Sequence, residues 1–287
     1  MNYLSYFGLR ELPFGITPDT HFFFAGRASQ EALNTLVVAI GNGEGFVKVT
    51  GEVGTGKTLL CRKLLASLQS RYVSAYIPNP SFGPKSLLIA LADELALPLE
   101  PDLADIEPHR LLRAVTRALL DIARQGKRVV LCMDESQSMS LETLEALRLL
   151  TNVETEKMKL LQVVLFGQPE LDVKLASSAV RQLRQRIIFE HRLHGLERDE
   201  VGAYVTHRLV VAGYSGAALL NDGAVSALHR ASRGVPRLIN VLMHKAMLLA
   251  YGEGVRALRA SHVRAAIADT PSAMPERRWW PLAAKAA

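Results

Sequence analysis

Cysteine is nearly absent: Cys61 and Cys132 are the only two in 287 residues, both inside apolar segments. A pair so placed excludes a disulfide framework and a cysteine-ligated metal cluster. Long hydrophobic runs are also missing. The longest stretches without a charge, Tyr72 to Pro84 and Leu209 to Asn221, are 13 residues each, short of the roughly 20 apolar residues that span a bilayer. The opening MNYLSYFGLRELPFG lacks the basic start and continuous apolar core of a secretory leader. Together with the scarcity of cysteine, this points to the cytoplasm. No G-x-S-x-G elbow, internal repeat, low-complexity tract or long run of like charges is present. His191 and His194 have metal-like spacing, but no further His or Cys gathers near them in sequence, which argues against zinc.

What is present is an ordinary soluble composition, 49% hydrophobic and 22% charged, so the disordered, collagenous and coiled-coil classes are excluded. The length suits one large domain or two modest ones. The net charge of +6 is uneven: residues 1–196 hold 22 basic and 21 acidic side chains, residues 197–287 hold 12 and 7. A basic final third suits nucleic acid, an anionic membrane surface, an acidic partner or a merely solvated face.

Short apolar runs alternate with amphipathic stretches, the pattern of a parallel sheet covered by helices. Strands are expected at Phe46 to Thr50, Tyr72 to Ile77, Val129 to Met133 and Leu161 to Phe166, with a fifth at Ile187 to His191. Leu87, Leu91 and Leu95, and Leu111, Val115, Leu119 and Ile122, recur at helical spacing. After Leu196 only helical periodicities remain, around Val201 to Leu209, Val225 to Leu228, Leu238 to Leu249 and Val263 to Ile267. The expectation is therefore an α/β domain over residues 1–196, a small all-helical domain over 197–269, and a flexible tail over 270–287. That tail holds three prolines, and Trp279 and Trp280 beside Arg277 and Arg278 could touch a membrane surface or a partner.

Gly51-Glu52-Val53-Gly54-Thr55-Gly56-Lys57-Thr58 matches G-x-x-x-x-G-K-[ST], directly after the strand FVKVT and before the helical run that starts at Leu59. Glycines let main-chain N–H groups converge on phosphate oxygens, and the following helix adds the positive end of its dipole. The candidate nucleotide-binding set is Gly51, Glu52, Val53, Gly54, Thr55, Gly56, Lys57, Thr58 and Leu59. Lys57 would supply charge to the β and γ phosphates, and the Thr58 hydroxyl would ligate Mg²⁺.

Val129 to Met133 is wholly apolar and ends in Asp134-Glu135. Strand ends of an open α/β sheet are where ligands bind, so Asp134 would hold Mg²⁺ and Glu135 would polarise the attacking water. The run Leu161 to Phe166 leads to Gln168; its amide would either touch the γ phosphate or water, if this strand neighbours the Asp134 strand, or cap the following helix. Arg184 and Arg186 lie in an arginine-rich segment, and either could act as a finger on a neighbouring subunit's nucleotide, which would make the protein a homo-oligomer. Arg237 follows the breaker Gly234-Val235-Pro236 at a helix start and would read the γ phosphate from a helical lid.

In this order, glycine loop, Asp-Glu strand, Gln-tipped strand, arginine segment and G-x-P-R helix, the chain resembles AAA+ ATPases. The blocks GEGFVKVTGEVGTGKTLLCRKLL, LEALRLLTNVETEKMKLLQVVLFGQPELD and ASRGVPRLINVLMHKAMLLAYGEG, with the opening that spans Phe7-Gly8-Leu9, Pro13-Phe14 and Thr17-Pro18-Asp19, are similar to the ExeA/GspA secretion ATPases. Within them the chain is most similar to ATPases of mannose-sensitive haemagglutinin (MSHA) type IV pilus biogenesis. The resemblance covers about residues 3 to 270. It implies ATP and Mg²⁺ as cofactors, ATP hydrolysis in support of pilus or type II secretion assembly, inner-membrane assembly proteins as partners, and a cytoplasmic place peripheral to that membrane. Nucleic acid is not expected as a partner, although transposition helpers and initiator-type ATPases share the same core and form the competing reading. Two departures stand out: Ser136 takes the third place of the usual Asp-Glu-Ala-Gln, and the transmembrane helix and peptidoglycan-binding domain of ExeA-type members are not found here.

Overall fold

A computed structural model of the chain describes residues 3–97, 107–155 and 158–273. It divides into two compact units, Pro18–His194 and a second made of Met1–Thr17 with Gly195–Ala287. Helix α1 (Tyr3–Phe7) opens the chain and belongs to the second unit.

The first unit runs α2 (Arg27–Asn42), β1 (Phe46–Gly51), α3 (Lys57–Ser67), β2 (Tyr72–Ile77), α4 (Pro84–Glu94), α5 (Pro108–Arg124), β3 (Arg128–Met133) and α6 (Leu141–Leu150). It continues with the short hairpin β4 (Glu154–Thr155) and β5 (Met158–Lys159), then β6 (Leu161–Gly167), α7 (Glu170–Leu175), α8 (Arg181–Arg184) and β7 (Ile187–Leu193). Five strands form one parallel sheet in the order β2-β3-β6-β1-β7. Each expected strand is found at its place. The fold is the expected one, a parallel sheet flanked by helices.

Side chains alternate across a strand, and the two faces of this sheet enter two separate cores. Val129, Leu131 and Met133 with Val163 and Leu165 pack under α4, α5, α6 and α7, through Leu87, Leu91, Leu111, Val115, Leu119, Leu144, Leu147 and Leu171. Val130, Cys132, Val164, Phe166, Val47 and Val49 pack under α2 and α3, through Leu36, Ile40, Leu60, Cys61 and Leu64. Each such side chain contributes about 1.5–3 kcal/mol relative to exposure. β3 reads as an unbroken apolar run from Val129 to Met133 because both its faces are covered. β7 is an edge strand, and Glu190 and Arg192 remain exposed on it.

The second unit holds α1, α9 (Arg198–Val211), α10 (Asp222–Ser232), α11 (Pro236–Gly252) and α12 (Ala260–Ala268). A reciprocal cap between Glu197 and Glu200 starts α9, and the Asn221 side chain accepts from Ala224 N–H at 2.9 Å to start α10. Residues 1–196 were expected as the α/β domain, but the described residues 3–17 fold with the helices. The buried Arg208 guanidinium donates to Pro13 O, Asn240 Nδ2 donates to Gly15 O at 3.0 Å, and Arg10 N–H donates to Ala212 O at 2.8 Å. The Pro13 and Gly15 carbonyls are claimed by side chains 195 and 225 positions away in the chain, which no local pattern announces. The expected flexible tail also needs correction at its start. Thr270 is buried and donates to Ala266 O at 2.7 Å, and Pro271–Ala273 form a 3₁₀ turn with Ala273 buried. Arg277, Arg278, Trp279 and Trp280 lie outside the described residues. Among the described residues no helix is long and apolar enough to cross a membrane.

Candidate functional site

β1 ends at Gly51 and α3 begins at Lys57, so the glycine loop is strung between a buried strand and a helix start. Gly54 and Gly56 take left-handed φ values of +83° and +101°, which side chains rarely tolerate. The loop folds on itself through Thr55, whose hydroxyl donates to Glu52 O at 2.8 Å. Gly51 answers a different demand: a Cβ there would sit 2.6 Å from Leu193 O on β7. The first N–H groups of α3 have no intrahelical partners and face the loop, as anion sites at helix starts require.

Lys57 is buried, and its Nζ donates to Gly51 O at 2.8 Å and Glu52 O at 3.0 Å. Burial pulls its ammonium below the ordinary lysine value, against the opposing pull of Glu135, Asp134, Glu52 and Glu170. The cation is therefore poorly solvated and held by carbonyl dipoles, ready for a stronger anionic partner. Val53 and Glu52 are exposed, whereas Leu59 is half-buried.

Asp134 continues the β3 ladder, its N–H donating to Ile77 O at 2.9 Å. Its carboxylate is buried, with Oδ2 accepting from Thr58 Oγ1 at 2.5 Å and Oδ1 from Glu135 N–H at 3.0 Å. Burial raises this carboxyl above the ordinary aspartate range, and the Thr58 hydrogen bond is the largest opposing effect. A hydroxyl and a carboxylate this close form a hard-oxygen donor set that fits Mg²⁺. Among the described residues no group of three His, Cys, Asp or Glu could hold a metal ion. Glu135 follows at φ +50°, a left-handed value that is uncommon outside glycine. Ser136, the departure from the usual alanine, is buried and donates to Met133 O at 2.9 Å, so its hydroxyl stays within its own turn.

β6 pairs directly with β3, which brings Gln168 to the acid pair. Gln168 Nε2 donates to Glu135 Oε2 at 3.2 Å, and the start of α7 receives no side-chain cap. The amide therefore meets Glu135 and does not cap α7. Gln137 was missed by the motif reading, although it stands in the run Asp134-Glu135-Ser136-Gln137. Its Nε2 donates to Glu135 Oε2 at 2.5 Å. Lys48 was missed as well, and a lone lysine inside the buried strand FVKVT was the available signal. It is buried and pairs with Asp172 at 2.5 Å and Glu190 at 3.0 Å.

The two finger candidates have different surroundings. Arg186 is half-buried, with Nη1 3.4 Å from Thr151 Oγ1 at the end of α6. Arg184 is exposed and lines a cavity of about 390 Å³ with Lys48, Asp172, Glu190 and Arg192. Arg237 is exposed in the first turn of α11, behind Pro236 at the helix start.

A parallel 2-3-6-1-7 sheet with a glycine loop after β1 and an acid pair at the tip of β3 is the fold of an AAA+ P-loop core. In agreement, residues 40–175 match the family model of an AAA domain. The chain is similar to General secretion pathway protein A of Aeromonas hydrophila, with 40% identity over 277 residues covering 96% of this chain and 50% of that protein. It thus spans about half the length of this curated relative. Among solved structures it is similar to the Aeropyrum pernix ORC2 protein in ADPNP–ADP complexes (TM-score 0.63, 15% identity, 91% of this chain and 73% of that one). It is also similar to CDC6P of Pyrobaculum aerophilum (TM-score 0.64, 16%, 86% and 70%) and to the Thermotoga maritima RuvB Holliday junction branch migration motor (TM-score 0.57, 17%, 86% and 71%). At these identities the structural likeness establishes the fold alone.

Proposed function

We propose that this protein is a Mg²⁺-dependent AAA+ ATPase that hydrolyses ATP to support assembly of a secretion apparatus or an MSHA-like type IV pilus. The observation that carries the hydrolytic reading is the convergence of Thr58, on the glycine-loop helix, with Asp134 at 2.5 Å. Two segments that the motif logic required to meet do so, with Glu135 and Gln168 alongside. Similarity to General secretion pathway protein A supports the biological setting.

The roles follow from the chemistry. Main-chain N–H groups of Gly51 to Leu59 bind the phosphates. Lys57 exchanges its two carbonyl partners for β and γ oxygens, and this gain in charge pairing favours the nucleotide-bound state. Thr58 and Asp134 would hold Mg²⁺, which supplies further neutralisation of phosphate charge when bound. Glu135 orients a water molecule and takes its proton as oxygen attacks the γ phosphorus and the bond to the β–γ bridging oxygen breaks, releasing ADP and phosphate, and Gln168 steadies Glu135 or the phosphate. Arg237, exposed at the start of α11, is the candidate that senses the γ phosphate. Arg184 acts on a neighbouring copy's nucleotide, since it is exposed and without a hydrogen-bond or ion-pair partner among the described residues, while Arg186 is engaged with α6. The protein would then work as a homo-oligomer at the cytoplasmic side of the inner membrane, held there by assembly proteins or by residues 270–287.

Steady-state ATPase assays of wild type, Lys57→Ala and Glu135→Gln test the core of this reading. Both variants are expected to lose about 100-fold or more in kcat, and equal rates in all three would refute the site. Light scattering with ATP and Mg²⁺ tests the oligomer, and fast hydrolysis by a monomer would remove the role of Arg184 in trans. A salt titration of duplex DNA binding addresses the initiator-type alternative: tight, ATP-dependent binding with a steep salt slope would displace the assembly reading.

A further inference from the structure

The acid that the proposed reaction uses is gripped by its neighbours. Glu135 Oε2 accepts from Gln137 Nε2 at 2.5 Å and from Gln168 Nε2 at 3.2 Å. The other end of the Gln137 amide faces the next strand tip, where Oε1 accepts from the Gln168 main-chain N–H at 2.9 Å. The turn that carries Gln137 is itself tied down: Lys174 Nζ, on α7, donates to Gln137 O and, at 2.7 Å, to Met139 O. A closed hydrogen-bond circuit of Glu135, Gln137 and Gln168 therefore joins the tips of β3 and β6, and Lys174 of α7 is attached to it at Gln137 O.

We infer that Gln137 is a positioning residue for Glu135 and that Lys174 fixes Gln137 through the backbone of its turn. This deepens the hydrolytic reading and rests on it. Glu135 has three side-chain torsions and a half-buried carboxylate, so it would sample several rotamers if left alone. Two amide donors on Oε2 immobilise the group and leave Oε1 as the oxygen that meets water. Glutamine suits the task because it offers a donor to one partner and an acceptor to another. A glutamate there would lack the donor, and a leucine would lack both. A misplacement of about 1 Å in a reacting group costs on the order of 100-fold in rate, which sets the scale of the expected effect.

The test is a double-mutant cycle in the full chain. ATP hydrolysis is measured for wild type, Gln137→Leu, Glu135→Gln and the double variant, alongside affinity for a fluorescent ATP analogue and thermal melting. Gln137→Leu is expected to lower kcat by about 10- to 100-fold with KM and analogue affinity unchanged, and Gln137→Glu is expected not to restore it. The double variant should be no slower than Glu135→Gln alone, because the group being positioned is already gone. Lys174→Met, which leaves Gln137 itself intact, should reproduce part of the kcat loss and serves if Gln137→Leu fails to fold. A kcat within about 2-fold of wild type in both Gln137→Leu and Lys174→Met, or losses that multiply in the double variant, would overturn the inference. A Gln137→Leu protein with weakened analogue binding and unchanged kcat would do the same. Failure of the underlying reading looks different: Glu135→Gln itself would then turn over at the wild-type rate.

Discussion

Gly51→Ala offers a test of why this loop must begin with glycine. Gly51 is paired with Leu193 in the β1–β7 register, and an added Cβ would lie 2.6 Å from Leu193 O, 2.9 Å from Thr55 Oγ1 and 3.2 Å from Leu193 Cβ. The nearest atom is backbone in a strand, so it cannot swing aside as a side-chain tip would. Relief requires β1 and β7 to part or the loop to lift, and overpacking of this kind costs about 1–3 kcal/mol. With about 2–4 °C per kcal/mol for a unit of this size, a rigid obstruction at the upper end of that range lowers the melting temperature by roughly 6–12 °C. Gly56→Ala is the control: its Cβ would meet nothing within 4 Å, but its φ of +101° leaves a conformational penalty of about 1–2 kcal/mol. Circular-dichroism melts without nucleotide, followed by titration with a fluorescent ATP analogue, measure both effects. Gly51→Ala should be the less stable of the two and should bind the analogue more weakly than wild type, since the loop is displaced from its cradle. If Gly51→Ala melts within a degree of wild type, the obstruction is not rigid and the steric account of this glycine is wrong.

Three further outcomes follow. Because burial raises the Asp134 carboxyl, its ionised form weakens the folded state at pH values above the raised folded pKa, and this deficit fades as pH falls through that value. Asp134→Asn should therefore melt higher than wild type at pH 8 without nucleotide, with the gap closing toward pH 4, while hydrolysis is lost; a gap that widens on acidification would contradict the sign. Arg208→Ala removes donors to Pro13 O, Gly15 O and Tyr204 Oη and should cost about 2–4 kcal/mol, with limited proteolysis near residues 10–17 reporting release of that segment. Cys61 and Cys132 are both fully buried, and a hydrogen bond to Cys132 together with burial holds the Cys61 thiol far above its usual range. Both thiols should resist a disulfide reagent in the native protein and react fully in denaturant; fast native labelling would show that α3 opens from β3.

The features legible in the sequence share a physical property: each is encoded within one continuous segment. The loop from Gly51 to Thr58 needs glycines, a preceding strand and a following helix, all adjacent in the chain. Asp134 and Glu135 stand at a strand end because five apolar residues precede them. Gln168 depended on one further fact, whether β6 lies beside β3, and sheet order is a long-range property. Gln137 was within reach of local reasoning, as its spacing from Glu135 is short, yet its role emerges only from the acceptor it offers Gln168 across that strand pair. Lys48 and Arg208 carried a bare signal, a cation in an apolar context, without indicating that Asp172 and Glu190, or Pro13 and Gly15, would answer it.

The division at the N-terminus makes the same point. Nothing in MNYLSYFGLRELPFG marks it for the helical unit, and a boundary set by periodicity assigns it to the neighbouring α/β domain. Its destination was decided by buried donors on α9 and α11 that need acceptors, since a guanidinium or amide left unpaired in the interior costs more than ordering a short segment. By itself, then, the sequence determined the elements, the glycine loop and the acid pair, because periodicity, glycine conformation and helix starts are local consequences of residue type. Tertiary structure alone decided which strand tips meet, which amide holds Glu135 and which unit claims the first residues. Those outcomes depend on pairing polar groups that are far apart in the chain and close only after the apolar faces have been buried.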